Sequence, residues 1–142
     1  MRPGPILAAA VGAAVAAAIA AGVAVTGPPA EVRQQRLDAR RVDDLALLAR
    51  DIDLFVERHG RLPTTLADLG AEPGIGPRRI DPETGADYEY RPIEDRRYEL
   101  CATFATASAE PALGIASARY WAHAAGRQCF ALTAEPVSRA GH

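Results

Sequence analysis

Hydrophobic positions along this chain fall into three regimes. In the first, residues 6–25 are 20 consecutive Ala, Val, Ile, Leu and Gly with no charge among them. At 1.5 Å per residue such a run matches a hydrocarbon layer about 30 Å thick. Lipid would force it helical, because peptide groups there must bond to one another. A cleaved signal peptide is the competing reading: its apolar core is shorter, about 7–15 residues, and ends in an A-x-A site. Ala18-Ile19-Ala20 offers such a site. Length favours a retained anchor.

The second regime is helical. Across residues 30–59, Val42, Leu45, Ala49, Ile52 and Val56 recur at spacings of three and four, with Leu48 and Phe55 alongside. Arg40, Arg41, Asp43, Asp44, Arg50, Asp51 and Glu57 are expected mainly on the other faces. Before Val42 the stripe thins to Val32 and Leu37, which predicts a solvated stalk. Gly60 is a fitting stop after a last turn that ends in the basic His59.

In the third regime the period falls to two. Residues 88–91 alternate, and Pro92 ends this strand or marks it as an edge. Glu94-Asp95-Arg96 turns the chain. Tyr98, Leu100, Ala102 and Phe104 then alternate with Glu99, Cys101 and Thr103. A third strand over residues 128–132 sets Phe130 and Leu132 against Cys129 and Ala131. Between helix and strands, Thr64 is expected to cap a short turn that points Leu66 and Leu69 inward. Residues 70–79, with three glycines and two prolines, read as a loop. Asp81-Pro82-Glu83-Thr84-Gly85 is turn chemistry, with proline presetting φ, glycine accepting positive φ and Asp81 bonding the backbone beyond it. Residues 105–118 read as a further loop and the tail after Ala134 as unstructured.

These elements predict an α+β protein: a transmembrane helix, a long amphipathic helix and a small antiparallel three-stranded sheet. The expected organisation is an anchor over residues 1–27, a helical stalk over 28–59, a sheet domain over 60–134 and a tail over 135–142. The 142-residue length leaves room for one small domain with a modest core.

Composition narrows the chemistry. A net charge of -2, from 16 basic and 18 acidic residues, leaves no electrostatic footprint for nucleic acid. All 16 basic residues are arginine, which excludes Schiff-base lysines and a Walker-type lysine. Cys101 and Cys129 each point away from the leucine and aromatic face of their strand. If those strands are antiparallel neighbours, both sulfurs share one outer face, a necessary condition for a cross-strand bridge. A disulfide between Cys101 and Cys129 is therefore expected, placing the domain in an oxidising compartment.

Element order and motifs together resemble the type IV pilin-like proteins, most closely the major pseudopilin of type II secretion systems. The residues that carry the likeness are Gly60-Arg61-Leu62-Pro63-Thr64-Thr65-Leu66-Ala67-Asp68-Leu69 and Asp81-Pro82-Glu83-Thr84-Gly85-Ala86-Asp87-Tyr88-Glu89-Tyr90. In that family a G-x-x-P stretch follows the long helix and a DP turn opens the sheet, and the match covers about residues 40–104. The chain departs from the family in having no phenylalanine and no glutamate between Met1 and Thr26. Leader processing and filament docking of the family's kind are therefore not expected. Residues 98–104, with Trp121-Ala122-His123 and Cys129-Phe130, also resemble small bacterial single-pass membrane proteins.

The resemblance implies a non-catalytic domain on the extracytoplasmic side of the inner membrane, presenting a surface to other envelope or secretion proteins. Besides protein, the partner is the lipid bilayer, through residues 6–25; no cofactor is expected. Charge argues the other way on orientation. Arg33, Arg36, Arg40 and Arg41 outweigh Arg2 across the apolar run, and the positive-inside rule would keep the domain in the cytoplasm. The cysteine pair and the resemblance favour the outside.

Three chemical alternatives weigh less. Cys101, His123 and Cys129 supply only three widely spaced zinc candidates, where a structural site wants four. No local motif marks a nucleophilic cysteine served by His123. Asp81, Glu83 and Asp87 suggest a calcium loop, and pseudopilins of this type bind calcium, yet Pro82 and the missing twelfth-position glutamate depart from an EF-hand. A plain turn is the preferred reading there.

Overall fold

A computed structural model describes residues 4–26, 28–76, 79–108 and 120–135. The chain divides into two compact units, Met1–Arg36 and Leu37–His142. Helix α1, Pro5–Thr26, belongs to the first. Its 22 residues extend about 33 Å at 1.5 Å per residue, long and apolar enough to span a bilayer. None of its large side chains finds cover: Ile6, Leu7, Val11, Val15, Ile19, Val23 and Val25 are all exposed.

Helix α2 runs Pro29–His59, with Glu31 in its first turn and Arg58 and His59 in its last, both favourable to the helix dipole. It stops where Gly60 adopts φ 69° and donates its N–H to the Val56 carbonyl. The apolar stripe is buried as the periodicity requires: Leu45, Leu48, Ile52, Phe55 and Val56 are at most 4 % exposed. The stripe does not fade where the apolar residues do. Asp38 and Arg41 are 2 % and 3 % exposed, and Asp51 is 8 % exposed. Two of the charges expected on the solvated faces, Arg41 and Asp51, are thus inside. The reason is spacing, because positions 38, 41, 45, 48, 52 and 55 continue one helical face whatever residue occupies them.

A 3₁₀ turn, Leu66–Ala71, follows the Pro63 corner and buries Leu69. Its cap is Thr65 rather than Thr64, and the Asp68 carboxylate accepts the backbone N–H groups of both. Part of the stretch read as loop from residue 70 onward is therefore this turn's end.

Strands β1 (Glu89–Pro92), β2 (Arg97–Phe104) and β3 (Gly126–Thr133) form one antiparallel sheet in the order β1-β2-β3. Pro92 sits opposite Tyr98 on the edge strand, where a missing donor is tolerated. The β1–β2 turn closes with Arg97 N–H donating to the Glu94 carbonyl. Its central residues, Asp95 and Arg96, have φ of 56° and 65°. This is a type I′ geometry built without glycine. Along β2 the expected alternation holds, with Tyr98, Leu100, Ala102 and Phe104 all buried. These side chains join Tyr88, Phe130 and Ala134 and the stripe of α2 in one apolar cluster. Most of the loop expected over residues 105–118, and of the tail after Ala134, lies outside the described residues. Glu135 is described, and its N–H donates to Asp53.

Candidate functional site

Three polar or reactive groupings stand out, and the largest is built around Arg41. Its Nη1 donates to Asp38 Oδ1 at 2.7 Å and its Nε to Asp81 Oδ2 at 2.6 Å. Nη2 reaches Asp81 Oδ1 at 3.2 Å and Glu83 Oε2 at 2.7 Å. The guanidinium therefore faces three carboxylates, which is more negative charge than it carries.

The surplus is absorbed by backbone donors. Asp38 accepts from the N–H groups of Ala105 and Thr106 and from the Thr106 hydroxyl. Asp81 accepts from the N–H groups of Glu83 and Thr84 and from the Thr84 hydroxyl. Burial by itself would raise the pKa of Asp38, but Thr106, Ala105 and Arg41 overcome it and hold the acid below its ordinary range. Burial would likewise raise Asp81, and Arg41 with the Thr84 and Glu83 amides drives it well below that range. Hydrogen bonding to Asp81, against the cost of burial, raises Arg41 above its already high value. Two paired side chains of α2 thereby tie together the turn before β1, through Arg41, and the chain leaving β2, through Asp38.

The calcium alternative falls on this same turn before β1. Asp81 folds its turn as expected, with Gly85 N–H on the Asp81 carbonyl and Gly85 at φ 69°. However, the charge compensating Asp81 and Glu83 is the Arg41 guanidinium. Among the described residues, no group of three or more His, Cys, Asp or Glu is placed to hold a metal ion. An open groove of about 320 Å³ borders the cluster, lined among others by Arg41, Asp81, Tyr88, Cys101 and Phe104. Tyr88 closes one side by donating its hydroxyl to Asp44 at 2.9 Å.

The second grouping is the disulfide. Cys101 and Cys129 face each other directly in the β2–β3 register, with Cα atoms 4.1 Å apart, and are bonded. The expected bridge is present, and it removes both thiols from the zinc and nucleophile alternatives. Cys101 is 3 % exposed, whereas Cys129 is exposed. Arg127 lies across the bridge, pairing with Glu89 at 2.6 Å and bringing Nη2 to 3.6 Å from Cys101 Sγ.

The third is an aromatic corner. His123 stacks on Phe104 at 3.7 Å between ring centres, and Trp121 meets Phe130 edge-on at 4.9 Å. Ser108 and His123 bond reciprocally: the Ser108 N–H donates to the His123 carbonyl and the His123 N–H to the Ser108 hydroxyl. Tyr120 donates its hydroxyl to the Ala131 carbonyl. His123 is thus a stacking partner that ties Ser108 to the residues before β3. His59, in the last turn of α2, contacts Glu72 Oε1 at 2.6 Å and packs against Phe55 at the helix end.

The Asp38–Arg41–Asp81 network was not anticipated. Its signal was present as an i, i+3 charge pair in phase with Leu45, Leu48 and Ile52. No protein-family model, curated protein or solved structure matches this chain.

Proposed function

We propose that the chain is a single-pass membrane protein. Its helix α1 holds a non-catalytic, pilin-like α+β domain on the extracytoplasmic face of the inner membrane, where the domain presents a protein-interaction surface within a secretion or pilus-type assembly. One juxtaposition carries this reading. A 22-residue helix with all of its large apolar side chains uncovered calls for lipid, and a disulfide in the following domain calls for an oxidising compartment. The pilin-like part draws support from the order of elements: a long helix ending at Gly60, the Pro63 corner, the Asp81 turn and an antiparallel sheet. The non-catalytic part draws support from the Arg41 grouping, whose guanidinium and buried acids are engaged with one another.

A compartment-reporting enzyme fused after His142 tests the topology, with extracytoplasmic activity expected and cytoplasmic activity contrary to it. Purification of the tagged chain from solubilised envelopes tests the partner class. Co-purifying secretion or pilus components support the assembly reading. Recovery of the chain alone supports the second reading, a lone envelope protein, which the absence of phenylalanine and glutamate from residues 1–26 favours.

A further inference from the structure

The two sulfurs of the bridge differ in ways that have a chemical consequence. Thiol–disulfide exchange proceeds by in-line attack of a thiolate on one sulfur while the other departs, and it runs faster when the departing thiolate is stabilised. Cys129 is an exposed residue and Cys101, although it borders the groove beside Arg41, is almost wholly covered, so an incoming sulfur meets less cover at the Cys129 end. At the covered end, the Arg127 guanidinium stands 3.6 Å from Cys101 Sγ. It is held there by three contacts to Glu89, at 3.0 and 3.3 Å from Nε and 2.6 Å from Nη2. A nearby arginine favours a thiolate over a thiol. Accessibility and the position of the guanidinium therefore favour the same direction of reaction, with the Glu89 carboxylate offsetting part of that charge.

We propose that Cys101–Cys129 is a thiol-exchange site with fixed polarity: external dithiols attack Cys129, and Cys101 leaves as a thiolate held by Arg127. In the first step a bond forms between the external sulfur and Cys129 Sγ. The Cys129–Cys101 bond breaks, and its electron pair goes to Cys101 Sγ. In the second, the dithiol's other thiolate attacks its own sulfur in that mixed disulfide and releases Cys129. Water protonates the released thiolates. The protein gains two electrons and two protons, and the dithiol becomes a disulfide. The substrate class is a protein or small-molecule dithiol.

The test uses the full, oxidised chain in non-ionic detergent. Glutathione, a monothiol, is added in excess; samples are quenched in acid within seconds and free thiols are alkylated. Arginine-specific digestion then separates residues 98–119 from residues 128–139, so each cysteine is read on its own peptide by mass spectrometry. Early glutathione adducts are expected on Cys129 in about tenfold excess over Cys101. Equal labelling, or a majority on Cys101, would overturn the polarity. In a second arm, Arg127→Gln is expected to slow reduction by dithiothreitol about three- to tenfold, with Arg127→Lys retaining most of the rate. Arg91→Gln, which removes an exposed arginine paired with Glu99 on the same sheet, serves as control and is expected to leave the rate unchanged. An Arg127→Gln rate equal to the parent's, or a Lys variant as slow as the Gln variant, would overturn the role of Arg127.

Discussion

Replacing Arg41 by methionine keeps most of the side-chain volume and removes only the charge and its donors. Four hydrogen bonds disappear at once: one to Asp38, two to Asp81 and one to Glu83. The side chains of Asp38 and Asp81 are 3 % and 12 % exposed, so water replaces those bonds only in part. Removing one partner of a buried ion pair costs about 3–5 kcal/mol. Each of the two buried acids retains three other donors, which places the expected loss near the low end, about 3 kcal/mol. Glu83 is 41 % exposed at its side chain and adds little to that.

For a domain whose whole stability is of order 5–15 kcal/mol, the loss is large. Urea denaturation of the full chain in detergent micelles reads it through Trp121, the sole tryptophan, which packs on Phe130. Asp81→Asn in the Arg41→Met background then separates charge from packing. Removing the stranded carboxylate should make the double variant less destabilised than the sum of the two single losses, by about 1–3 kcal/mol. A cost for Arg41→Met under about 1 kcal/mol, or additivity within about 0.5 kcal/mol, would refute the network as a charge-balanced unit.

Three further outcomes follow from the same geometry. Arg96 holds φ 65° in a turn that prefers glycine, so Arg96→Gly should raise the urea midpoint by an amount worth about 0.5–1 kcal/mol; an unchanged or lower midpoint counts against the strain. Cys101→Ala/Cys129→Ala, which opens a crosslink of sequence separation 28, should lower stability by about 3–4 kcal/mol in the chain-entropy model, measured against the oxidised parent. The third concerns acid. Asp38 and Asp81 bind protons less readily folded than unfolded, so their contribution is complete above the unfolded carboxylate range and is lost progressively as pH falls below about 4. Burial raises Asp51 and Asp53, which act in the opposite sense and gain on acidification. Asp81→Asn should therefore flatten the acid limb of stability against pH, and an unaltered limb would contradict the assignment.

Much of this architecture was legible because it depends on period and punctuation. The three-and-four spacing from Val42 to Val56, the Gly60 stop, the Asp81 turn and the alternation from Tyr98 to Phe104 are local signals, and each reappears in the fold. The bridge was legible too, since side-chain parity on two strands needs only their adjacency. What the chain concealed was long-range pairing. Arg41 reads as solvated until the turn at Asp81, 40 residues away, is known to return to it. Thr106 carries no sign that its amide and hydroxyl will receive Asp38. Charge in an apolar stripe appears as an interruption when the partner is distant in sequence, although the spacing itself reports the burial.

The central claim is that α1 lies in a bilayer while the domain faces an oxidising space. Protease protection in spheroplasts tests both halves together. The chain should remain in carbonate-washed membranes, and added protease should digest the domain from outside, releasing fragments still joined through Cys101–Cys129. Recovery of the intact chain from the soluble fraction, or a membrane-bound chain resistant to external protease with both thiols free, would contradict it.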